Sequence, residues 1–114
     1  MSLDYARDNL AAAVRSLASS DDPLPARLQA AWDEHVTMLW MKPCLTVDLL
    51  REFRDIWQRY TAPSDDRRST ALRVLGHDEL VAAVDDLVSL LLRTAVTAAQ
   101  AGEDEKLATL SDLD

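Results

Sequence analysis

Apolar residues recur along this chain at three- and four-residue intervals, broken by short polar or proline-containing stretches, which predicts helices joined by turns. The first helix spans about Leu3 to Ala18, with Ser2 as its N-cap. Leu3, Leu10 and Leu17 repeat at seven, with Ala6, Ala13 and Val14 beside them, giving a narrow seam of small residues. Ser19-Ser20-Asp21-Asp22-Pro23 ends it.

A second helix is expected from Pro25 to about Met41, with Leu28, Ala31, Trp32, His35, Val36 and Leu39 inward and Pro43 as its stop. Thr46 caps a third helix reaching Tyr60, whose stripe is Leu49, Leu50, Phe53, Ile56, Trp57 and Tyr60. A short fourth helix is expected from Ser64 to Leu75. Gly76 reads as its C′ residue and Asp78 as the N-cap of the next helix.

That next helix, residues 79–101, is the most apolar segment. On a helical wheel its apolar residues cover an arc of roughly 200°, where a surface helix needs about 100°. Such a helix lies at the centre of a bundle or contributes to a subunit interface. The fold class is therefore all-α: four main helices plus one short helix, with residues 79–101 as the central apolar helix. Residues 1–102 form one helical domain. Residues 103–114 are an acidic C-terminal tail, read as either frayed or holding a last helical turn through Leu107 and Leu110.

Composition agrees with helix. Of 114 residues, 48% are apolar and only two are Gly and four Pro, which argues against a turn-rich β fold or a wholly disordered chain. The net charge is −8, and the tail alone carries −4. Direct nucleic-acid or membrane binding is not expected from an acidic surface. A lone Cys44 permits no internal disulfide, no signal-like or membrane-spanning run is evident, and a cytoplasmic location is the expectation.

Candidate chemistry is sparse. His35, Met38, Met41 and Cys44 place a soft or imidazole ligand at every third residue, but in an α-helix that spacing drifts by about 60° per step. Without a CxxC or HxxxH beside it, no metal or cofactor is assigned. Glu34 and His35 are adjacent and diverge on a helix. His77-Asp78-Glu79 lies at a helix start, and Asp85–Asp86 lacks the Glu-x-x-His companions of a di-iron bundle. No catalytic residues are assigned.

Contact residues stand out more clearly. Trp40 falls at the edge of its predicted stripe and, with Met38 and Met41, forms a candidate partner-binding patch. Arg51 and Arg54 belong to it as orienting charges, within a stretch, 51–73, of six bases and four acids. Trp32, His35, Trp57 and Tyr60 form a candidate ligand pocket. The first helix is thin and Ala-lined, so it is not expected to cover the 200° arc alone. Leu80, Val84, Leu87, Val88, Leu91 and Leu92 are accordingly read as the interface of a homodimer.

The leading functional reading is a non-catalytic interaction, regulatory or adaptor protein whose partners are another protein, itself, or both. The alternatives are a small-molecule or metal-binding bundle and an acidic nucleic-acid mimic.

Overall fold

A computed structural model describes residues 3–61, 72, 75–100 and 107–113. It contains helices α1 (Leu3–Ser19), α2 (Leu24–Glu34), α3 (Val47–Tyr60) and α4 (His77–Gln100). Two 3₁₀ segments, Val36–Trp40 and Leu110–Leu113, complete it. Among the described residues there is no β-strand, only one isolated antiparallel bridge between Thr61 and Leu72. The protein is an all-α bundle. Most of the short helix expected over 64–75, and the stop at Gly102, lie outside the described residues; at the two described positions of that helix the expectation is corrected, since Leu72 bridges to Thr61 and Leu75 is not helical.

The α1–α4 pair is the most extensive packing in the fold. Leu3, Ala6, Leu10, Ala13 and Leu17 are buried along α1. Leu80, Ala83, Leu87, Leu90 and Thr94 are buried along α4. Both series alternate steps of three and four, the spacing that lets two helices mesh side chains along a seam. Ala6, Ala13 and Ala83 are fully buried, so α1 lies close against α4 where alanines face the seam. The expectation that a thin, Ala-lined helix leaves α4 uncovered is corrected on that side: small residues bring α1 nearer.

The second helix is shorter than its pattern predicts. The α-helix stops at Glu34, because His35 takes φ −126° and ψ −47°, and the chain continues as the 3₁₀ segment Val36–Trp40. Thr37 Oγ1 donates to the Asp33 carbonyl at 2.9 Å, satisfying an acceptor at the helix end. β-Branched Val36 and Thr37 follow the break, where they disfavour further α-helix. At the other end of α2, Arg27 Nη1 donates to the Leu17 carbonyl at 2.7 Å, capping the C-terminal turn of α1.

Helix α3 begins as its sequence predicts, with Thr46 Oγ1 accepting from the Leu49 N–H. At the start of α4 the cap is Gly76, not Asp78. The Gly76 N–H donates to Glu79 Oε1 at 3.2 Å, and its carbonyl accepts from Leu80 N–H at 2.9 Å. Glu79 thus fills the N3 half of a capping box, and exposed Asp78 adds negative charge in the first turn.

The chain returns to the body near its C-terminal end. Ala108 is buried, and its N–H donates to the Leu45 carbonyl at 2.8 Å. The 3₁₀ segment Leu110–Leu113 then packs on α3. Asp112 Oδ2 accepts from the Thr109 N–H at 2.8 Å, holding that turn.

Candidate interaction surface

The aromatic side chains of residues 32–57 form one cluster. Trp32 stacks on Trp57 with ring centroids 5.2 Å apart. Trp40 lies 4.6 Å from Phe53 and 5.7 Å, edge-on, from Trp57. Phe53 meets Trp57 at 5.9 Å. Trp57 touches all three other rings, joining α2 and the first 3₁₀ segment to α3 at favourable offset and edge geometries.

This arrangement redistributes the sequence candidates. Trp40 is half-buried in the cluster rather than a free anchor, because the 3₁₀ segment turns it towards α3. Trp32 is fully buried. Of the four candidate pocket residues, the structure brings together only Trp32 and Trp57, and their rings occupy one another's faces. Tyr60 points to α4. His35 is half-buried, with Nε2 3.8 Å from Glu34 Oε2, too long for a hydrogen bond.

The 3₁₀ geometry also explains the His-Met-Met-Cys ladder. At three residues per turn, residues three apart eclipse. Val36 and Leu39 therefore share the buried side, and Met38 and Met41 the outer side, with Met41 70% exposed. Cys44 leaves the ladder: it is buried, with Sγ 3.7 Å from the Leu39 carbonyl. Burial raises its thiol pKa to about 11. Among the described residues no three His, Cys, Asp or Glu side chains converge on a point. Lys42 Nζ sits 4.8 Å over the Tyr5 ring, tying this corner to α1.

The arginines of α3 serve the fold in two ways. Arg51 makes a 3.6 Å ion pair with Asp48 on its own helix, exposed on both sides and worth little. Arg54 is half-buried, and its Nε has no hydrogen-bond partner among the described residues. Arg59 and Tyr60 instead reach α4, where both donate to Asp86 Oδ2, at 2.8 and 2.5 Å. Burial first, and the bond to Asp86 second, hold the Tyr60 phenol above its ordinary pKa. The bonds to Tyr60 and Asp86 likewise hold Arg59 charged. Farther along α4, Arg93 pairs with Glu52 of α3 at 2.6 Å. Arg67, Arg68 and Arg73 lie outside the described residues.

Helix α4 presents the largest departure from the expected site. Leu80 and Leu87, assigned to a subunit interface, are buried inside the monomer against its own core. That assignment is corrected, since neither can meet a second chain while α1 covers it. Val84, Val88 and Leu91 are half-buried. The exposed large apolar residues of α4 are Val81 at 43%, Leu92 at 60% and Val96 at 56%. On the wheel they point within about 60° of one another, and at least about 120° from Leu87 and Leu90. Val88, Ala95 and Ala99 fall in the same sector, as does exposed Asp85, so a mainly apolar stripe interrupted at Asp85 runs along the outer face from Val81 to Ala99. Ala99 is exposed, and Val88 and Ala95 are half-covered. Val81 and Val96 lie outside the expected interface set of Leu80, Val84, Leu87, Val88, Leu91 and Leu92; their spacing from Leu92 by eleven and four residues is the sequence signal that places them on its face of the helix.

Among the described residues no helix is long and apolar enough to cross a membrane. No family model, curated protein sequence or solved structure is significantly similar to the chain.

Proposed function

We propose that this chain is a non-catalytic interaction protein that binds another protein chain through the outer face of α4. The observation that carries this reading is the exposure of Val81, Leu92 and Val96 in one sector of a helix whose opposite face already fills the core. Large apolar side chains exposed to water along one sector of a helix mark a contact surface more than they serve a monomer. The fold does not require them, since Leu80, Ala83, Leu87 and Leu90 supply the core side of α4. Met38 and Met41 add a second, adaptable apolar spot. The aromatic cluster supports this role by fixing the bundle.

A photo-crosslinking residue at Leu92, with the same residue at exposed Arg51 of α3 as control, tests the reading in cells producing the protein. The expected result is a crosslinked protein species at position 92, whether a second copy or another chain, that is absent at 51. The absence of any such species at both 92 and 96 overturns it.

A further inference from the structure

We infer that the α4 outer face receives a cationic amphipathic helix of another protein, whose Lys or Arg meets Asp85 and whose large apolar residues meet Leu92 and Val96. This rests on the reading of α4 as a contact surface and names its partner's chemistry. Asp78, Asp85, Leu92 and Ala99 recur at intervals of seven, and Val81, Val88 and Ala95 recur at the same interval three residues further on. Two interleaved sevens of this kind form the seam along which one helix lies on another. Most of this seam is open. Asp78, Val81, Asp85, Leu92 and Ala99 are exposed, and Val88 and Ala95 are half-covered. Exposed Val96 flanks it.

The seam changes character along its length. Its first half holds two carboxylates around Val81, and its second half, from Leu92 to Ala99, holds no charge on the same face. Asp78 answers to the positive end of the α4 dipole, an effect confined to the first turn. Asp85 lies two turns into the helix, beyond that reach. It makes no ion pair among the described residues, whereas Asp86 beside it is taken by Arg59 and Tyr60. Neither Lys nor Arg shares the sector: Arg93 points about 100° from Leu92 and is paired with Glu52. A charged residue in the seam of a helix pair selects its partner, because it accepts the opposite charge across from it and disfavours a like charge or an apolar residue. A second copy brings a further −8 and no free base on this face. A basic helix complements the first half in sign and the second half in hydrophobicity, and the acidic protein steers it in. Asp85 and Leu92 are about 10 Å apart along the axis, so the partner's basic and apolar contacts are spaced by the same two turns.

A photo-crosslinking residue at Val96, which leaves Asp85 and Leu92 intact, provides the test in cells producing the full chain. The crosslink is compared in wild type, in Asp85→Lys and in Asp55→Lys. The last makes the same change in net charge at an exposed site on α3. The expected product is a segment of a different protein that carries Lys or Arg on an amphipathic helical pattern. Its yield should fall about tenfold in Asp85→Lys and stay near wild type in Asp55→Lys. Replacing the partner's Lys or Arg by Glu should restore the yield with Asp85→Lys. The urea midpoint of Asp85→Lys should stay near wild type, because the side chain is exposed, which separates lost contact from lost fold. An undiminished yield in Asp85→Lys, an equal fall in both variants, or a crosslink to a second copy of this chain overturns the inference and leaves the contact surface standing. If positions 92 and 96 crosslink to nothing, the proposed function fails with it.

Discussion

Replacing Thr94 by Val should stabilise this protein. Thr94 is fully buried at the end of the α4 seam, and its Oγ1 has no hydrogen-bond partner among the described residues. Burying a hydroxyl without a partner costs about 1–3 kcal/mol in proteins. Valine keeps the branched shape, puts a methyl where the hydroxyl was, and has a helix propensity close to that of threonine. The cost is therefore removed without opening a cavity or adding bulk. The expected gain is about 1–2 kcal/mol. For a chain of this length the unfolding entropy is roughly 0.24 kcal/mol/K, so each kcal/mol raises Tm by about 4 °C. Urea unfolding followed by far-UV circular dichroism reads the gain as a higher midpoint at unchanged slope. Thr94→Ser provides the control: it keeps the hydroxyl, loses the methyl, and should destabilise by about 1 kcal/mol. If Thr94→Val lowers the midpoint, the hydroxyl is bonded in solution and the reasoning from its isolation is wrong.

Other substitutions probe the remaining contacts. Asp86→Ala strips Tyr60 and Arg59 of their shared acceptor and should cost about 1–3 kcal/mol; Tyr60→Phe should cost less, and a double-mutant cycle in urea should show the two effects to be non-additive. Trp57→Ala removes the ring that touches Trp32, Trp40 and Phe53 and should cost about 3–5 kcal/mol, with loss of the near-UV dichroism of the cluster. Cys44 makes stability pH-dependent. Its folded pKa of about 11 exceeds the ordinary 9.0, so folding favours the protonated thiol. That stability is whole below pH 9 and is lost as pH rises through about 11, by at most about 1.4 kcal/mol per unit. Cys44→Ala should flatten this part of the pH profile without abolishing the loss due to Tyr60, and an unchanged profile would show that the thiol is open to water.

The seams of α1, α3 and α4 were legible because each is long, periodic and bounded by turn residues. The end of α2 was not. Leu28, Ala31, Trp32, His35, Val36 and Leu39 fit an uninterrupted α-helix as well as they fit an α-helix that tightens after Glu34. Only the two β-branched residues at 36 and 37 hinted at the break, and tertiary packing of Trp40 on Phe53 accompanies it. The cap of α4 was misplaced for a related reason. Asp78 is a good N-cap by composition, yet Glu79 satisfies the Gly76 N–H one residue pair earlier, and the helix starts there. The polar links Tyr60–Asp86 and Glu52–Arg93 join residues far apart in sequence, and no local pattern marks such pairs.

The candidate site shifted because exposure and chemical appearance are different properties. Tryptophans, a histidine and a cysteine attract functional readings, but here Trp32 and Cys44 are consumed by the interior and Trp57 by its neighbouring rings. They explain why the bundle holds together. Valine and leucine carry no chemistry, yet Val81, Leu92 and Val96 are the residues the fold leaves unexplained. Lysine or glutamate at those positions would serve the monomer at least as well: both are good helix formers, both favour water, and neither would disturb the seam on the far side. Apolar identity on an outer helical face contributes free energy only when that face leaves water. The two faces of one helix therefore stand in contrast. Its inner stripe is apolar because α1 requires it, and its outer stripe is apolar although nothing within the described monomer does.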